Sequence, residues 1–326
     1  MTGGVECHTT NSKNSFYILM KPFFRILFFL LIVKASSAQL IYETVWVDYD
    51  SAVEYKSLQL VPIRPKEMAG RPGPRMMSLN KAMEKGWATI SERGTASTEN
   101  VHWLRINNKS DNSIFVSSGQ TFTGGRQDRM VTRDTLLKPT GTDQYIPVMC
   151  IEEGRWSDKE KKILYNNYAN VNLRQVLDKS KNQVLIWKEI FSQLGSANLN
   201  SPTFAYAAIS QSKEFKEAEN EYLKFFREKV NNSDSSMTGF VCISGSKVIG
   251  CEIFADKQLF YDEFEPLLSG YINEAVMRGS QPMLVKEEIK EFMDKILTNE
   301  TLQDEYCKKN GKVFRVNGKV IQVTAY

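Results

Sequence analysis

Short apolar segments separated by turn-forming residues are the feature of this sequence that most restricts its fold. Over residues 101–151 these segments follow one another closely, and Gly119, Gly124, Gly125 and Gly141 lie between them. Such spacing is typical of strands joined by tight turns. Parallel strands would need long helical crossovers, so the pattern favours an antiparallel sheet or sandwich over a doubly wound parallel sheet.

Helical periodicity follows Trp156, and strand-like alternation returns near the end of the chain. The predicted helices cover 158–168, 172–194, 213–230, 257–277 (with a kink or break at Pro266) and 286–297. The predicted hairpins cover 240–254 and 312–324, with turns at Gly245-Ser246 and Asn317-Gly318. Because strands bracket the helices, we predict an α+β fold. It would have an antiparallel β-sheet or sandwich core, a helical insertion packed on one face, and a C-terminal β-hairpin.

The first 38 residues have the pattern of a cleavable export signal. Lys21 and Arg25 flank an apolar run, and small residues at Ser36 and Ala38 fit signal-peptidase cleavage before Gln39. We therefore expect an exported (periplasmic or secreted) protein whose residues 39–326 form a single α+β domain.

Two alternatives remain open for this N-terminal segment. An uncleaved membrane anchor is one, although the apolar run is short for a membrane span and Lys34 interrupts it. A mis-called start codon is the other, because a start at Met20 would give a tidier signal and make residues 1–19 superfluous.

The charge balance argues against nucleic-acid binding. The whole chain has a formal charge of +4, and its first 38 residues contribute +3 through Lys13, Lys21, Arg25 and Lys34 against Glu6. The remainder is close to neutral, whereas nucleic-acid-binding domains carry a pronounced basic patch. We expect no nucleic-acid partner and no stable membrane anchor after cleavage, and the sequence does not identify a protein partner.

Four cysteines remain after the predicted signal: Cys150, Cys242, Cys251 and Cys307. An even number in an oxidising compartment permits disulfides. A two-residue turn in the first hairpin would place Cys251 diagonal to Cys242 on the same face of the sheet. Direct bridging would then need a register shift, so buried free thiols are favoured.

Histidine is scarce, which limits metal and triad chemistry. His102 is the only histidine after residue 38, so multi-histidine metal sites are excluded and a triad would depend on this residue. Asp134, Asp143 and Glu153 do not have the spacing of metal ligands. The sequence predicts no metal site and no cofactor.

Residues 124–129, of sequence GGRQDR, gather groups suited to an anionic ligand. Successive glycines let the backbone adopt positive φ and present N–H groups to an anion. Arg126 and Arg129 offer forked donors for phosphate or carboxylate, and Gln127 offers both a donor and an acceptor. The segment lacks the lysine and Ser/Thr of a Walker motif. A hairpin turn with solvated charges is the alternative interpretation.

Residues 150–156, of sequence CIEEGRW, place Cys150 and Glu152 on one face of a strand. Glu152 could act as a general acid or base, or form a salt bridge with Arg129 or Arg155. Arg155 and Trp156 could stack on each other or hold an aromatic ligand. For Cys150 a buried apolar role is favoured over that of a catalytic thiol.

These two segments resemble the ADP-ribosylglycohydrolase and rhodanese-phosphatase associated protein domain family. The similarity runs through Gly119, residues 125–129 as Gly-x-Gln-x-Arg, and residues 147–156 as Pro-Val-x-Cys-[Val/Ile]-Glu-x-Gly-Arg-Trp. It extends over residues 56–277, and Asp128 departs from it where the family favours asparagine. The resemblance implies a domain of unknown activity. The family's name records an association with enzymes that handle ADP-ribose, so an ADP-ribose-like ligand is a hypothesis by analogy.

The residues of the two segments support three hypotheses about function. In the first, a small anionic or nucleotide-derived ligand binds in a pocket formed by Gly125, Gln127, Arg129, Glu152, Arg155 and Trp156. In the second, Glu152 is catalytic, as the general acid/base of a hydrolase, and Arg129 stabilises developing negative charge. In the third, the same residues form a structural cluster in an envelope or secreted interaction domain. All three require residues 125–129 and 150–156 to lie together.

Overall fold

The computed structural model describes residues 1–4, 39–66, 76–94, 101–157, 161–231 and 236–326. Apart from residues 1–4, the predicted signal lies outside the described residues. By their internal contacts, residues 38–326 form one unit, and that unit is the subject of everything below.

The described residues form sixteen strands and eight α-helices. The strands are β1 (Val45–Val47), β2 (Val53–Tyr55), β3 (Leu58–Pro65), β4 (Met76–Ser78), β5 (Ala88–Glu92), β6 (Trp103–Asn108), β7 (Ser113–Val116), β8 (Gln120–Thr123), β9 (Arg129–Val131), β10 (Thr135–Leu137), β11 (Asp143–Cys150), β12 (Leu164–Tyr168), β13 (Gly239–Ser244), β14 (Lys247–Phe254), β15 (Gly311–Val316) and β16 (Lys319–Ala325). The helices are α1 (Leu79–Glu84), α2 (Val171–Ser180), α3 (Gln183–Ser196), α4 (Ala207–Gln211), α5 (Lys213–Asn231), α6 (Lys257–Arg278), α7 (Lys286–Leu297) and α8 (Glu300–Asn310). Of these helices, none combines the length and the apolar character needed to cross a membrane.

Within the described residues the strands pair into three sheets. The largest has the order β1-β3-β13-β14-β16-β15, with β2 beside β3; the second has the order β12-β8-β9-β11-β6-β5, and the third is β10-β7-β4. Among these pairings only that of β4 with β7 is parallel. The predicted α+β class is confirmed, and so is the C-terminal hairpin, which β15 and β16 form.

The seven-stranded sheet has helices on both faces. Alternate side chains of β3 point to opposite faces, so Leu58 and Leu60 join a core with α5 and α6, whereas Ile63 joins a core with α7. Phe226 of α5 and Ile289 of α7 are buried in these two cores. Helices α5 and α6 of the predicted helical region therefore cover one face, and α7 and α8 cover the other, whereas α3 packs in a separate core with Met130 and Ile151.

Two of the predicted helices differ from the structure. Residues 164–168 form β12 rather than helix, because this segment pairs with β8, with Leu164 opposite Thr123. The continuous helix predicted over 172–194 is interrupted at Lys181, whose φ is +45°. Asn182 then begins a new helix, since its side chain accepts a hydrogen bond from the Val184 N–H at 2.9 Å.

The cysteine register in the β13–β14 hairpin also differs from the prediction. An irregularity between Cys242 and Ile243 places Cys242 opposite Gly250, and Cys251 opposite Val241. Cys242 therefore joins one core and Cys251 the other, because a one-residue shift turns a side chain to the opposite face. The predicted placement on one face is wrong, but the expectation of buried free thiols agrees with the structure.

Candidate functional site

The sheet topology brings the two predicted segments side by side. Residues 124–128 form the turn between β8 and β9, and β9 pairs antiparallel with β11, so that Arg129 lies opposite Cys150. In an antiparallel pair the start of one strand lies opposite the end of the other. The turn at 124–128 and the segment 150–156 therefore meet at this end of the β9–β11 pair.

The guanidinium of Arg155 joins the two segments. Its Nε donates to Glu152 Oε2 at 2.7 Å, and its Nη2 donates to Asp128 Oδ1 at 2.8 Å. The same group donates to the carbonyl oxygens of Gly125 and Gly124, both at 3.0 Å. We call these five residues the Arg155 cluster. With a side chain only 20% exposed, Arg155 fastens the turn to the strand that follows it.

Both carboxylate oxygens of Glu152 accept hydrogen bonds, from residues of the Arg155 cluster and from Thr203 beside it. Its Oε1 accepts a hydrogen bond from the Thr203 hydroxyl at 2.7 Å, and its Oε2 accepts from the Asp128 N–H at 3.1 Å as well as from Arg155. Burial acts to raise the pKa of Glu152, but the hydrogen bonds from Arg155, Thr203 and the Asp128 N–H outweigh it, so the net pKa is lowered. The carboxylate is therefore ionised at neutral pH, with both oxygens occupied.

The pKa of Asp128 is shifted in the opposite direction, upwards. Burial raises the pKa of Asp128 to about 6, and the negative charge of Glu152 adds to the rise. The Gly124 N–H and the guanidinium of Arg155 act in the lowering direction without cancelling it. Arg155 therefore faces one firmly ionised carboxylate and one that titrates just below neutral pH.

Backbone N–H groups of the glycine-rich turn bind carboxylates, but these carboxylates are side chains of the protein itself. The Gly124 N–H donates to Asp128 Oδ1 at 3.0 Å, and the Arg126 N–H donates to Glu92 Oε1 at 2.7 Å. At Gly125, where φ is +53°, a Cβ would lie 2.5 Å from Glu92 Oε1, so a side chain here would displace that carboxylate. Glu92, at the end of β5, is a site residue that the sequence reasoning missed, since nothing near it in the chain signals the contact.

Gln127 and Arg129 form the buried layer beneath this cluster. The amide of Gln127 donates to the carbonyl of Glu152 at 2.8 Å, and Arg129 Nη1 donates to Gln127 Oε1 at 2.8 Å and to Cys150 Sγ at 3.0 Å. Gln127 is 8% exposed and Arg129 1%. The side-chain amide of Gln183 in turn holds both the N–H and the carbonyl of Cys150, at 2.9 and 2.7 Å. These contacts hold the buried layer beneath the Arg155 cluster in place.

Trp156 is the exposed residue of the predicted site. The residue is 41% exposed, and its ring lies 6.0 Å from the guanidinium carbon of Arg129. The arginine beside the indole is therefore Arg129, whereas Arg155 points to carboxylates. Of the six predicted site residues, the structure brings all together and leaves this aromatic ring open to solvent.

No metal site is evident in the part of the chain that the structure describes. Groups of three or more His, Cys, Asp or Glu side chains placed to hold an ion are absent there. His102 lies exposed just before β6, at the rim of the sheet.

A second polar cluster, which the sequence did not predict, lies in the core. Arg174 on α2 is 2% exposed and its Nη1 donates to Glu252 Oε1 on β14 at 2.6 Å. The same carboxylate accepts hydrogen bonds from Tyr271 at 3.0 Å and from Thr324 at 2.6 Å. These residues come from four distant elements, so no local spacing could have revealed them.

Glu263 on α6 adds a buried carboxyl with a strongly shifted pKa. It accepts hydrogen bonds from the hydroxyl of Tyr168 at 2.8 Å and from the side-chain amide of Gln120 at 3.3 Å. Burial raises its pKa to about 8, although those two hydrogen bonds act in the lowering direction. At neutral pH this group is mostly protonated, as expected for a carboxyl deep in a core.

Taken together, the fold and the paired segments define an α+β domain with a glycine-rich turn fastened by an arginine to a Cys-x-Glu strand end. The chain belongs to the ARPP-1 family, described as the ARG and Rhodanese-Phosphatase-superfamily-associated Protein domain, whose model matches residues 46–326. The match is longer than the 56–277 range of the motif resemblance and covers nearly the whole described unit. This family is a domain of unknown function. Comparisons with curated proteins and with solved structures return no match.

Proposed function

We propose that this domain is a small-ligand-binding module and that a ring-bearing anion, such as a nucleotide, stacks on Trp156. The observation that carries the proposal is the exposed indole of Trp156 on a base of buried, hydrogen-bonded side chains. An exposed aromatic ring offers a flat ligand a large apolar face on which to stack. The family's association with ADP-ribose chemistry makes an ADP-ribose-like ligand the first to test.

The environment of Glu152 favours binding over hydrolysis. A general acid at neutral pH needs a raised pKa, whereas that of Glu152 is lowered. A general base would have to give up hydrogen bonds from Thr203 or Arg155 to accept a proton. Glu152 and Arg155 then act as the support of the site, not as its reacting groups.

Protonation of Asp128 gives the site a pH dependence. Arg126, Arg129 and Arg155 here balance Glu92, Asp128 and Glu152, so the six charges cancel when all are ionised. As the pH falls through about 6, Asp128 takes up a proton and the cluster gains net positive charge. An anionic ligand is therefore expected to bind more tightly below this pH.

Calorimetry and tryptophan fluorescence with ADP-ribose, AMP, adenosine and ribose 5-phosphate test the proposal. Stacking on an aromatic side chain contributes about 1–3 kcal/mol, so Trp156→Ala should weaken binding about 5- to 150-fold. Trp87→Ala is the matched control, because Trp87 is similarly exposed, at 38%, and also has a cation near its ring, Lys85 Nζ at 4.6 Å. It should leave the affinity unchanged.

The outcome also separates the rival functions. If none of the four compounds binds, or if both tryptophan variants weaken binding alike, the proposal is wrong. Turnover of ADP-ribosylated substrates that disappears in a folded Glu152→Gln variant would instead establish the hydrolase. Retained folding and binding in that variant, with no turnover in either form, is the result we expect.

We also propose that the protein is exported and that residues 1–38 are removed. The supporting observation is that the folded unit begins at Ala38, next to the cleavage point predicted before Gln39. Leu40 and Ile41 are already buried in it. Mass spectrometry of the protein made in its native host should show Gln39 as the first residue. An intact N-terminus at Met1 or Met20 would contradict the proposal.

A further inference from the structure

A small polar pocket that shares no lining residue with the candidate site lies where three elements meet. It is formed by the turn between β13 and β14, the last turn of α6 and the first turn of α2. Its volume is about 200 Å³, below the range usual for drug-sized ligands, so it suits a smaller molecule. Its polar lining comes mainly from Asn172, Ser244, Lys247, Glu274, Arg278 and Ser280.

Glu274 is the buried charge of this pocket. Its side chain is 9% exposed, and its Oε1 accepts a hydrogen bond from the Asn172 amide at 3.0 Å. Its Oε2 is buried and has no hydrogen-bond partner among the described residues. A buried carboxylate with one oxygen lacking a donor is poorly compensated, so a cation brought to the exposed part of this side chain would stabilise its charge.

Two cationic side chains accompany Glu274 at the pocket. Arg278 Nη1 lies 3.9 Å from Glu274 Oε1 and 3.5 Å from Glu189 Oε1, both longer than a good charged hydrogen bond. Lys247 is exposed at the other side of the lining. Burial raises the pKa of Glu274, and the charges of Arg278 and Lys247 oppose that rise. The pocket thus presents one acidic and two basic groups.

The backbone around the pocket is fixed by hydrogen bonds. The Gly245 N–H donates to the Ser280 carbonyl at 2.9 Å, and the Gly245 carbonyl accepts from the Met283 N–H at 2.9 Å. Gly245 has φ of +60°, and a Cβ there would lie 2.6 Å from Ser280 Oγ. The hairpin turn and the end of α6 are therefore held close together, which gives the pocket a defined shape before any ligand binds.

We propose that this pocket binds a small α-amino acid, with its ammonium group at Glu274 and its carboxylate at Arg278 and Lys247. The ammonium group offsets the charge of the Glu274 carboxylate, of which only one oxygen has a hydrogen-bond donor, and the ligand's carboxylate takes the guanidinium donors that no close acceptor occupies. The serine hydroxyls and the Asn172 amide line the remaining space, which favours a ligand with a small or polar side chain. Glycine, alanine and serine are the ligands that fit this chemistry. The inference is independent of the ligand at Trp156.

Isothermal calorimetry of the 39–326 domain with glycine, L-alanine and L-serine tests this site. A hydrogen bond to a charged group is worth a factor of about 10 to 100 in affinity, so Glu274→Gln should weaken binding by that factor. The substitution keeps the acceptor for Asn172 and removes a buried charge, so the unliganded protein should remain folded. Glu265→Gln is the matched control on the same helix, because Glu265 pairs with Arg227 at an exposed position.

Simpler probes separate the two halves of the ligand. Ethanolamine keeps the ammonium group and lacks the acid, and glycolate keeps the acid and lacks the ammonium group, so both should bind more weakly than glycine. Lys247→Met should weaken the binding of glycine more than the binding of ethanolamine, because only glycine has a carboxylate for Lys247. Absence of amino-acid binding, equal binding by wild type and Glu274→Gln, or glycolate binding as tightly as glycine would each overturn the proposal. Trp156→Ala should leave this binding intact.

Discussion

Replacing Arg155 with methionine is the sharpest test of how the candidate site is held together. The substitution keeps much of the length and apolar stem of the side chain but removes the donors to Glu152 and Asp128. Removing one partner of a buried ion pair costs about 3–5 kcal/mol, because the other partner stays buried and uncompensated. Arg155 is 20% exposed, so we expect a loss of about 2–4 kcal/mol in the free energy of unfolding near neutral pH.

The loss should depend on pH in a direction set by Asp128. The folded pKa of Asp128, at about 6, is already above its unfolded value, so this group's contribution to stability falls as pH rises through that window. Without Arg155 this pKa rises further. A rise of one unit lowers the cost of the substitution near pH 5, relative to pH 7.5, by about 1 kcal/mol, and further rises add less because they reach pH 7.5 as well.

Urea unfolding of wild type and Arg155→Met at the two pH values measures both effects. Arg105→Met is the matched control, because Arg105 lies 3.4 Å from Asp143 with both side chains nearly half exposed. That substitution should cost less than about 1 kcal/mol at either pH. If Arg155→Met costs no more than Arg105→Met, or costs the same at both pH values, the cluster does not stabilise the site as described.

Three further predictions concern buried groups elsewhere. The free energy of unfolding of Glu263→Gln should match that of wild type near pH 4 and exceed it above pH 8 by a few kcal/mol, at most about 5. The reason is that wild type loses stability as the pH rises from the unfolded pKa of Glu263 to its raised folded pKa, and urea unfolding across this range measures the difference. Gly124→Ala should lower the melting temperature more than Gly86→Ala. Both glycines have positive φ, but a Cβ at Gly124 would lie 2.1 Å from the carbonyl oxygen of Lys162, whereas a Cβ at Gly86 would meet no atom within 4 Å. The four buried thiols of the 39–326 domain should resist a thiol reagent until denaturant is added, since burial raises the pKa of Cys307 to about 12; rapid labelling of the native protein would contradict this.

Much of the fold could be predicted because its signals are local. The Asn317-Gly318 turn predicts the β15–β16 hairpin, and the apolar stripe of residues 286–297 predicts α7 with the correct bounds. The β12 segment was missed because its strand character comes from pairing with β8, a contact between distant parts of the chain. The hairpin register near Cys242 depends on a bulge that no residue type announces.

The sequence indicated which residues of the two motifs would lie together, but not which of their side chains would contact each other. Period-two alternation and the two motifs singled out Gln127, Arg129, Glu152, Arg155 and Trp156, which the structure places at neighbouring ends of β9 and β11. They could not decide which arginine would meet Glu152 and which would lie beside the indole. Nor could they reveal Thr203, from the loop before α4, which donates to Glu152, or Glu92, from β5, which accepts from the turn. Only three-dimensional packing reveals such partners.

The largest sheet joins the two ends of the domain, and this has a consequence for biogenesis. Strand β3 lies between β1 and β13, and its Ile63 pairs with Gly239, more than half the chain away. A ribosome must therefore release most of the polypeptide before β3 can gain its inner neighbour, and β14 and β16 come later still. Folding dominated by such distant contacts is slow. Until residue 239 has left the ribosome, β3 has no inner partner, and the sheet cannot close before β16, the last of the described strands, has followed.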